Sequence, residues 1–370
     1  MALAIAGIGT AVPHDSYDQR EGLLIAQSLC CKTHEQTTWL PNMYAHTGID
    51  KRHLCLGRNL VDDVLHGTRH TQSVFLPKMT EDDRGPTTQD RMRFYREHAV
   101  LLAREASASA LHQARMPAKA ITHLVTVSCT GFYAPGWDVK VVQNLGLAPS
   151  TLRTHVGFMG CHGALNALRV AKAFVEAEPQ AKVLLCATEL CSIHYHYSWD
   201  PQKVIANAIF ADGSAAVVGI ASESGPTAAT TWRLTASGSF LVPQTQDVMT
   251  WDIGDHGFVM TLAKNVPEII CKNLRAFLEP WLANQGLSVP EIRAWAIHPG
   301  GPKILDASAQ ALGLASDLLL PAREIFAAYG NMSSPTVLFI LDHLQERGCK
   351  PPCVALGFGP GLNVEAALFR

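Results

Sequence analysis

"GCHGALNALRVAKAF", residues 160–174, puts a glycine, a cysteine and a histidine ahead of a run that is apolar around most of its circumference. A helix of that kind is buried. Its first turn has unpaired backbone N–H groups and the positive end of the helix dipole, so Cys161 sits where a thiolate is favoured. About 170 residues later, "GNMSSPTVLFILDHL" (330–344) has the same build. The same shift lays "ITHLVTVSCTG" (121–131) on "IRAWAIHPGG" (292–301), each an apolar run ending in a glycine-containing loop. It also lays "AKVLLCATE" (181–189) on "PCVALGFGPG" (352–361), and a different shift sets "AIAGIGTAVP" (4–13) on "LTASGSFLVP" (234–243). Three matches in order at one offset predict two copies of a βαβ-containing unit, an α/β fold with helix-covered sheets.

The halves divide as 1–224 and 225–370, with a linker near "SESGPTAATT" (222–231), rich in small residues and proline. The first half carries two insertions, at 14–95 and 191–205. A helix over 88–115 is expected behind the pair Thr87 and Asp90, which reads as a capping box. With 48% hydrophobic and 17% charged residues, the chain is expected to bury a large core. A net charge of −2 without long basic runs argues against nucleic acid as a partner. "MALAIAGIGTAVPHD" lacks a basic leader and reads as a first strand rather than a signal peptide. No uncharged apolar stretch reaches the ~18–20 residues needed to span a bilayer. Ten cysteines without CxxC or zinc spacing read as reduced thiols of a cytosolic protein.

The duplication has a chemical consequence. Cys161 opens the buried helix of one half and Asn331 opens its counterpart. His298 ends a strand where the first half has Ser128. A pseudo-twofold arrangement brings such helix mouths and strand ends together, uniting a nucleophile, a base and an amide donor. His162 points elsewhere on its helix and reads as structural. His194 and His196 lack further ligands at metal spacing, so no metal site is expected.

"GFMGCHGALNALRVAKAF", "AIHPGGPKIL", "YGNMSSPTVLFIL" and "GFGPGLNVEAALF" resemble the type III polyketide synthases, the chalcone and stilbene synthase superfamily, over essentially the whole chain. The resemblance implies a thiolase fold in α-β-α-β-α layers, a homodimer, and an acyltransferase that needs no metal or redox cofactor. It assigns Cys161 as the acyl-accepting nucleophile, paired with His298 as thiolate–imidazolium. His298 and Asn331 would form the oxyanion site, at about 3–4 kcal/mol per donor. It also aligns Tyr195 and Met260 with aromatic gatekeepers, and Thr130, Ala134, Cys191 and Trp251 with cavity-lining positions. Lys51, Arg52, Gly300, Gly301 and Lys303 fall where the family meets CoA. The implied reaction is iterative decarboxylative condensation of malonyl-CoA onto an acyl-CoA starter, followed by cyclisation. Small residues at 130, 134 and 191 favour a medium or long fatty acyl starter and an alkylpyrone or alkylresorcinol product. The alternatives are a malonyl-primed or aromatic-starter synthase, a single-condensation enzyme of the β-ketoacyl-ACP synthase III type, and an inactive scaffold.

Overall fold

The apolar runs that repeat in the sequence fold as strands buried on both faces, as continuous apolar composition requires. The structure, a computed structural model, describes residues 1–78, 80, 82–222 and 232–370. Its main sheet contains β1 (Ala2–Ala11), β2 (His123–Ser128), β3 (Leu152–Gly157), β4 (Lys182–Leu190), β5 (Asp212–Ser222), β6 (Arg233–Leu241), β7 (Ala294–Ile297), β8 (Cys353–Gly359) and β9 (Asn363–Phe369). The nine strands run in the order β7-β8-β9-β6-β1-β5-β4-β2-β3.

The duplication is visible strand by strand. In the first half β1 pairs antiparallel with β5, β5 antiparallel with β4, and β4 parallel with β2. In the second half β6 pairs antiparallel with β9, β9 antiparallel with β8, and β8 parallel with β7. The halves join where Leu3 and Ala4 of β1 meet Leu234 and Arg233. The division at 224/225 lies outside the described residues. So does the linker at 222–231, apart from Ser222, which ends β5.

Five helices place the site: α1 (Thr88–Gln113), α2 (Gly163–Ala177), α3 (Pro201–Ile209), α4 (Val266–Ala283) and α5 (Thr336–Glu346). The apolar bodies of α2 and α5 both touch strands of both halves, so they form the layer between them. Leu165 and Leu168 of α2 share one core with Leu338 and Ile340 of α5. Outside, α1 lies on β1, β5 and β4, while Phe277 of α4 stacks on Phe240 of β6. The result is the α-β-α-β-α layering of the thiolase fold.

Thr87 caps α1 by accepting from Asp90 N–H, and the helix ends at Gln113 rather than 115. The first insertion supplies a short antiparallel pair, Ser16–Asp18 with Lys51–His53, and the second folds into a 3₁₀ turn followed by α3. All ten cysteines are free thiols. Among the described residues no helix is long and apolar enough to cross a membrane.

Candidate active site

Cys161 lies in the turn that enters α2, on the wall of a cavity of about 850 Å³ counted with its opening to solvent. The turn is tight because Gly160 adopts φ +81°, and a Cβ there would lie 2.4 Å from Pro360 Cδ. Only glycine lets the chain pass so close to residues 357–361. The second half reaches the same point through residues 331–334, ahead of α5. Ser333 Oγ donates to Cys161 Sγ at 3.5 Å, and Ser333 N–H donates to Asn331 Oδ1 at 2.8 Å. With its oxygen so engaged, Asn331 turns its amide N–H toward the sulfur, where it favours the thiolate. The helix mouths of the two halves therefore meet, as the pseudo-twofold reading expects.

His298 follows β7, fully buried, with no hydrogen-bond partner on either ring nitrogen. Burial pushes the Cys161 thiol up to about 11 against the opposing pull of Ser333 and Asn331. Burial pushes the His298 imidazole down to about 3, with His162 adding to the effect. Each group alone is thus neutral. The thiolate–imidazolium pair that the resemblance implies would need the Cys161 proton to pass to His298 and the attraction of the two charges to offset their desolvation.

Behind the sulfur stands a residue the sequence reading passed over. Glu189, at the end of β4 and fully buried, accepts from the N–H groups of Cys129 and Thr130 at 2.9 and 3.0 Å. It also accepts from the hydroxyls of Thr130 (2.7 Å), Ser128 (3.2 Å) and Ser334 (2.6 Å). Burial raises its pKa against those five donors. The carboxylate ties the loop after β2 in one half to the entry of α5 in the other. The signal in the sequence was a lone acid within the apolar run "KVLLCATEL".

Thr130, Cys191, Tyr195, Met260 and Trp251 all line the cavity. Trp251 is fixed by its Nε1–H, which donates to Cys129 O at 2.7 Å. Phe258, missed in the sequence, faces it edge-on and stacks on His194 at 4.2 Å. His194 accepts from Phe258 N–H on Nδ1 and donates from Nε2 to Thr130 O, while His196 engages Ser198 Oγ. Both histidines are spent on protein partners. Phe210 lines the cavity as well, and its backbone bridges to Asn331. It is an aromatic of the lining that the sequence analysis did not single out. Tyr195, expected as an aromatic gatekeeper, lines the same cavity and also packs with Tyr44 and Val204.

Two expected positions need correcting. Ala134 is exposed and does not line the cavity of its own chain. Arg52 is only 1% exposed, so it cannot meet a phosphate at a surface mouth. Its guanidinium donates to the carbonyls of Asn207 and Phe210 and lies 4.7 Å from the Tyr17 ring, a packing role behind the cavity wall. Lys51 and Lys303 are exposed and Gly300 and Gly301 half-buried, all outside the lining. The cation on the cavity wall is Lys203 of α3, 3.6 Å from Asp200.

A duplicated layered α/β chain whose helix mouths join a buried cysteine to an asparagine has the build of thiolase-fold condensing enzymes. The family model for the N-terminal domain of chalcone and stilbene synthases matches residues 1–223, and that for the C-terminal domain matches residues 233–370. The α-pyrone synthesis polyketide synthase-like protein Pks18 of Mycobacterium tuberculosis is 36% identical over 289 residues, 76% of this chain and 73% of that protein. The 1,3,6,8-tetrahydroxynaphthalene synthase of Streptomyces peucetius subsp. caesius is 29% identical over 371 residues, 99% of this chain and 93% of that one. The crystal structure of PKS-I from the brown alga Ectocarpus siliculosus superposes with a TM-score of 0.90 at 29% identity, covering 100% of this chain and 98% of that one. The C-terminal type III polyketide synthase domain of Steely1 from Dictyostelium gives 0.88 at 27% identity, covering 100% and 99%. The chain belongs to the chalcone and stilbene synthase family: it is a type III polyketide synthase, an acyltransferase.

Proposed function

We propose that Cys161 accepts a medium or long fatty acyl group from CoA, extends it with malonyl-CoA, and releases an alkylpyrone or alkylresorcinol. The observation that supports this reading is the cavity beside Cys161. Small or pliable side chains line much of it, including Cys129, Thr130, Cys191, Ala206, Met249 and Met260. The relative Pks18, named for α-pyrone synthesis, points the same way.

The proposed steps use Cys161, His298 and Asn331. Cys161 gives its proton to His298, and the thiolate attacks the starter thioester carbonyl, forming an acyl-cysteine as CoA departs as the thiol. Malonyl-CoA then loses CO₂, and the electrons of the broken C–C bond pass into an enolate whose oxygen takes hydrogen bonds from His298 and the Asn331 amide. The enolate carbon attacks the acyl-cysteine and the thiolate leaves. Return of the lengthened chain to Cys161 allows another round. No step calls on a metal or redox cofactor. The homodimer belongs to the same reading: β3 is a sheet edge bearing exposed Leu152, with Phe132, Phe158 and Met159 exposed in neighbouring segments.

The test is product mass from purified protein given malonyl-CoA alone and with acyl-CoA starters from acetyl to stearoyl. Products that require medium or long starters support the reading. Products from malonyl-CoA alone overturn the starter assignment and favour malonyl priming. A single condensation would favour the β-ketoacyl synthase alternative.

A further inference from the structure

Both chain neighbours of Cys161 rest on residues 357–361, the end of β8 and the turn that follows it. Gly160 lies against Pro360, as above. The His162 ring fills the space that side chains at 357 and 359 would need. A Cβ on Gly357 would sit 3.0 Å from His162 Cβ, and one on Gly359 2.3 Å from His162 Cδ2. The glycines of "GFGPG" thereby make room for an imidazole one residue past the nucleophile.

Filling space requires no nitrogen, yet this 2% exposed ring has both nitrogens engaged. Nδ1 lies 2.7 Å from Asn166 Oδ1, and Nε2 lies 3.5 Å from Asn363 Nδ2. An amide oxygen on Nδ1 and an amide N–H on Nε2 together select the neutral tautomer protonated at Nδ1. The array continues outward. Asn363 Nδ2 donates to Glu365 Oε1 at 3.0 Å, Ser239 Oγ donates to the same oxygen at 2.8 Å, and Arg169 donates to Glu365 Oε2 at 2.8 Å. Glu365 from β9, Arg169 from α2, His298 from the end of β7 and Cys161 itself are the titratable or charged groups around the ring. Burial keeps His162 below the usual histidine range, with Asn166 and Glu365 pulling the other way and Arg169 adding to the lowering. A positive charge on His162 would oppose protonation of His298.

Resting on the reading of Cys161 and His298 given above, we propose that His162 is a positioning residue for that pair. Its neutral, twice-bonded imidazole seats residues 357–361 against the Cys161 helix and keeps positive charge away from His298, leaving His298 free to take the Cys161 proton.

The experiment measures iodoacetamide alkylation of the Cys161 peptide by mass spectrometry from about pH 4.5 to 8, each profile normalised to its alkaline plateau. The proteins are the wild type, His162→Gln, Glu365→Gln and the double variant. In the wild type the rate falls as His162 gains its charge, below the ordinary histidine pKa of about 6.5. A glutamine cannot gain that charge, so in His162→Gln the fall moves at least half a pH unit lower, about threefold more reactivity in the acid limb. Glu365→Gln removes an anion that favours charged His162 and moves the fall the same way. In the His162→Gln background the Glu365 change adds no further shift. Superimposable wild-type and His162→Gln profiles overturn the proposal, because a purely structural role changes rates without moving the inflection. Should His162→Gln not fold, an unmoved profile in Glu365→Gln overturns it. A wild-type Cys161 that no acyl-CoA acylates would be a separate result, against the nucleophile assignment itself.

Discussion

Replacing Glu189 with leucine removes the acceptor on which five donors converge while leaving the side-chain volume almost unchanged. The two backbone N–H groups, from Cys129 and Thr130, cannot turn away. Each buried donor left without a partner costs about 1–3 kcal/mol, so the pair costs about 2–6 kcal/mol. The hydroxyls of Ser128, Thr130 and Ser334 rotate and recover part of their loss. Glutamine behaves differently. With its carbonyl in the Oε2 position it still serves both N–H groups and the Ser128 and Thr130 hydroxyls, and its amide N–H faces Ser334 Oγ, which turns to accept. Glu189→Leu should therefore lower the urea unfolding free energy by about 4 kcal/mol and slow alkylation of Cys161, because Ser334 precedes α5 next to Ser333, the Cys161 donor. Glu189→Gln should lose less than half as much. A leucine variant within about 1 kcal/mol of wild type, or a glutamine variant as damaged as the leucine one, refutes the view that these donors depend on Glu189.

Three further outcomes follow. His298 titrates at about 3 when folded against 6.5 when unfolded, so the unfolded chain binds its proton first as pH falls. This costs stability below pH 6.5, amounting to about 3 kcal/mol by pH 4. His298→Asn should remove that share of the acid sensitivity in denaturant melts at pH 7 and pH 4, and an unchanged pH slope would count against the buried neutral imidazole. Arg52→Ala should cost about 2–4 kcal/mol in unfolding free energy while leaving the acyl-CoA KM of the folded enzyme within about twofold, since its contacts are internal. Lys303→Ala should leave stability alone and raise KM severalfold. A large KM effect at Arg52 would restore it to the CoA path.

The architecture was legible because burial on both faces writes itself into composition. β2, β4 and β8 are largely apolar runs buried along almost their whole length, and their order at one offset gave the duplication. Cys161 and Asn331 were legible because helix mouths in equivalent halves must meet. What escaped depends on where side chains point after folding. A buried Arg52 and an exposed Lys51 are neighbours in sequence and both read as surface charge. Phe210 lines the cavity beside Tyr195, and only its backbone bridge to Asn331 brings it to notice. Glu189 resembles a breach in a strand until its five donors, from two distant segments, come into view. His162 reads from its helix position as pointing elsewhere than Cys161, but the glycines it lies against belong to a motif some two hundred residues downstream.

That last contact also orders events in time. At translation rates of about 5–20 residues per second, the turn that closes on Gly160 and His162 is made roughly 10–40 s after Cys161. Throughout that interval the nucleophile has neither its floor at Pro360 nor its partner strands β8 and β9, and the thiol is held by the first half alone. A chain still in synthesis thus lacks the packing that holds Gly160 and His162 in place until β8 and the turn after it have docked.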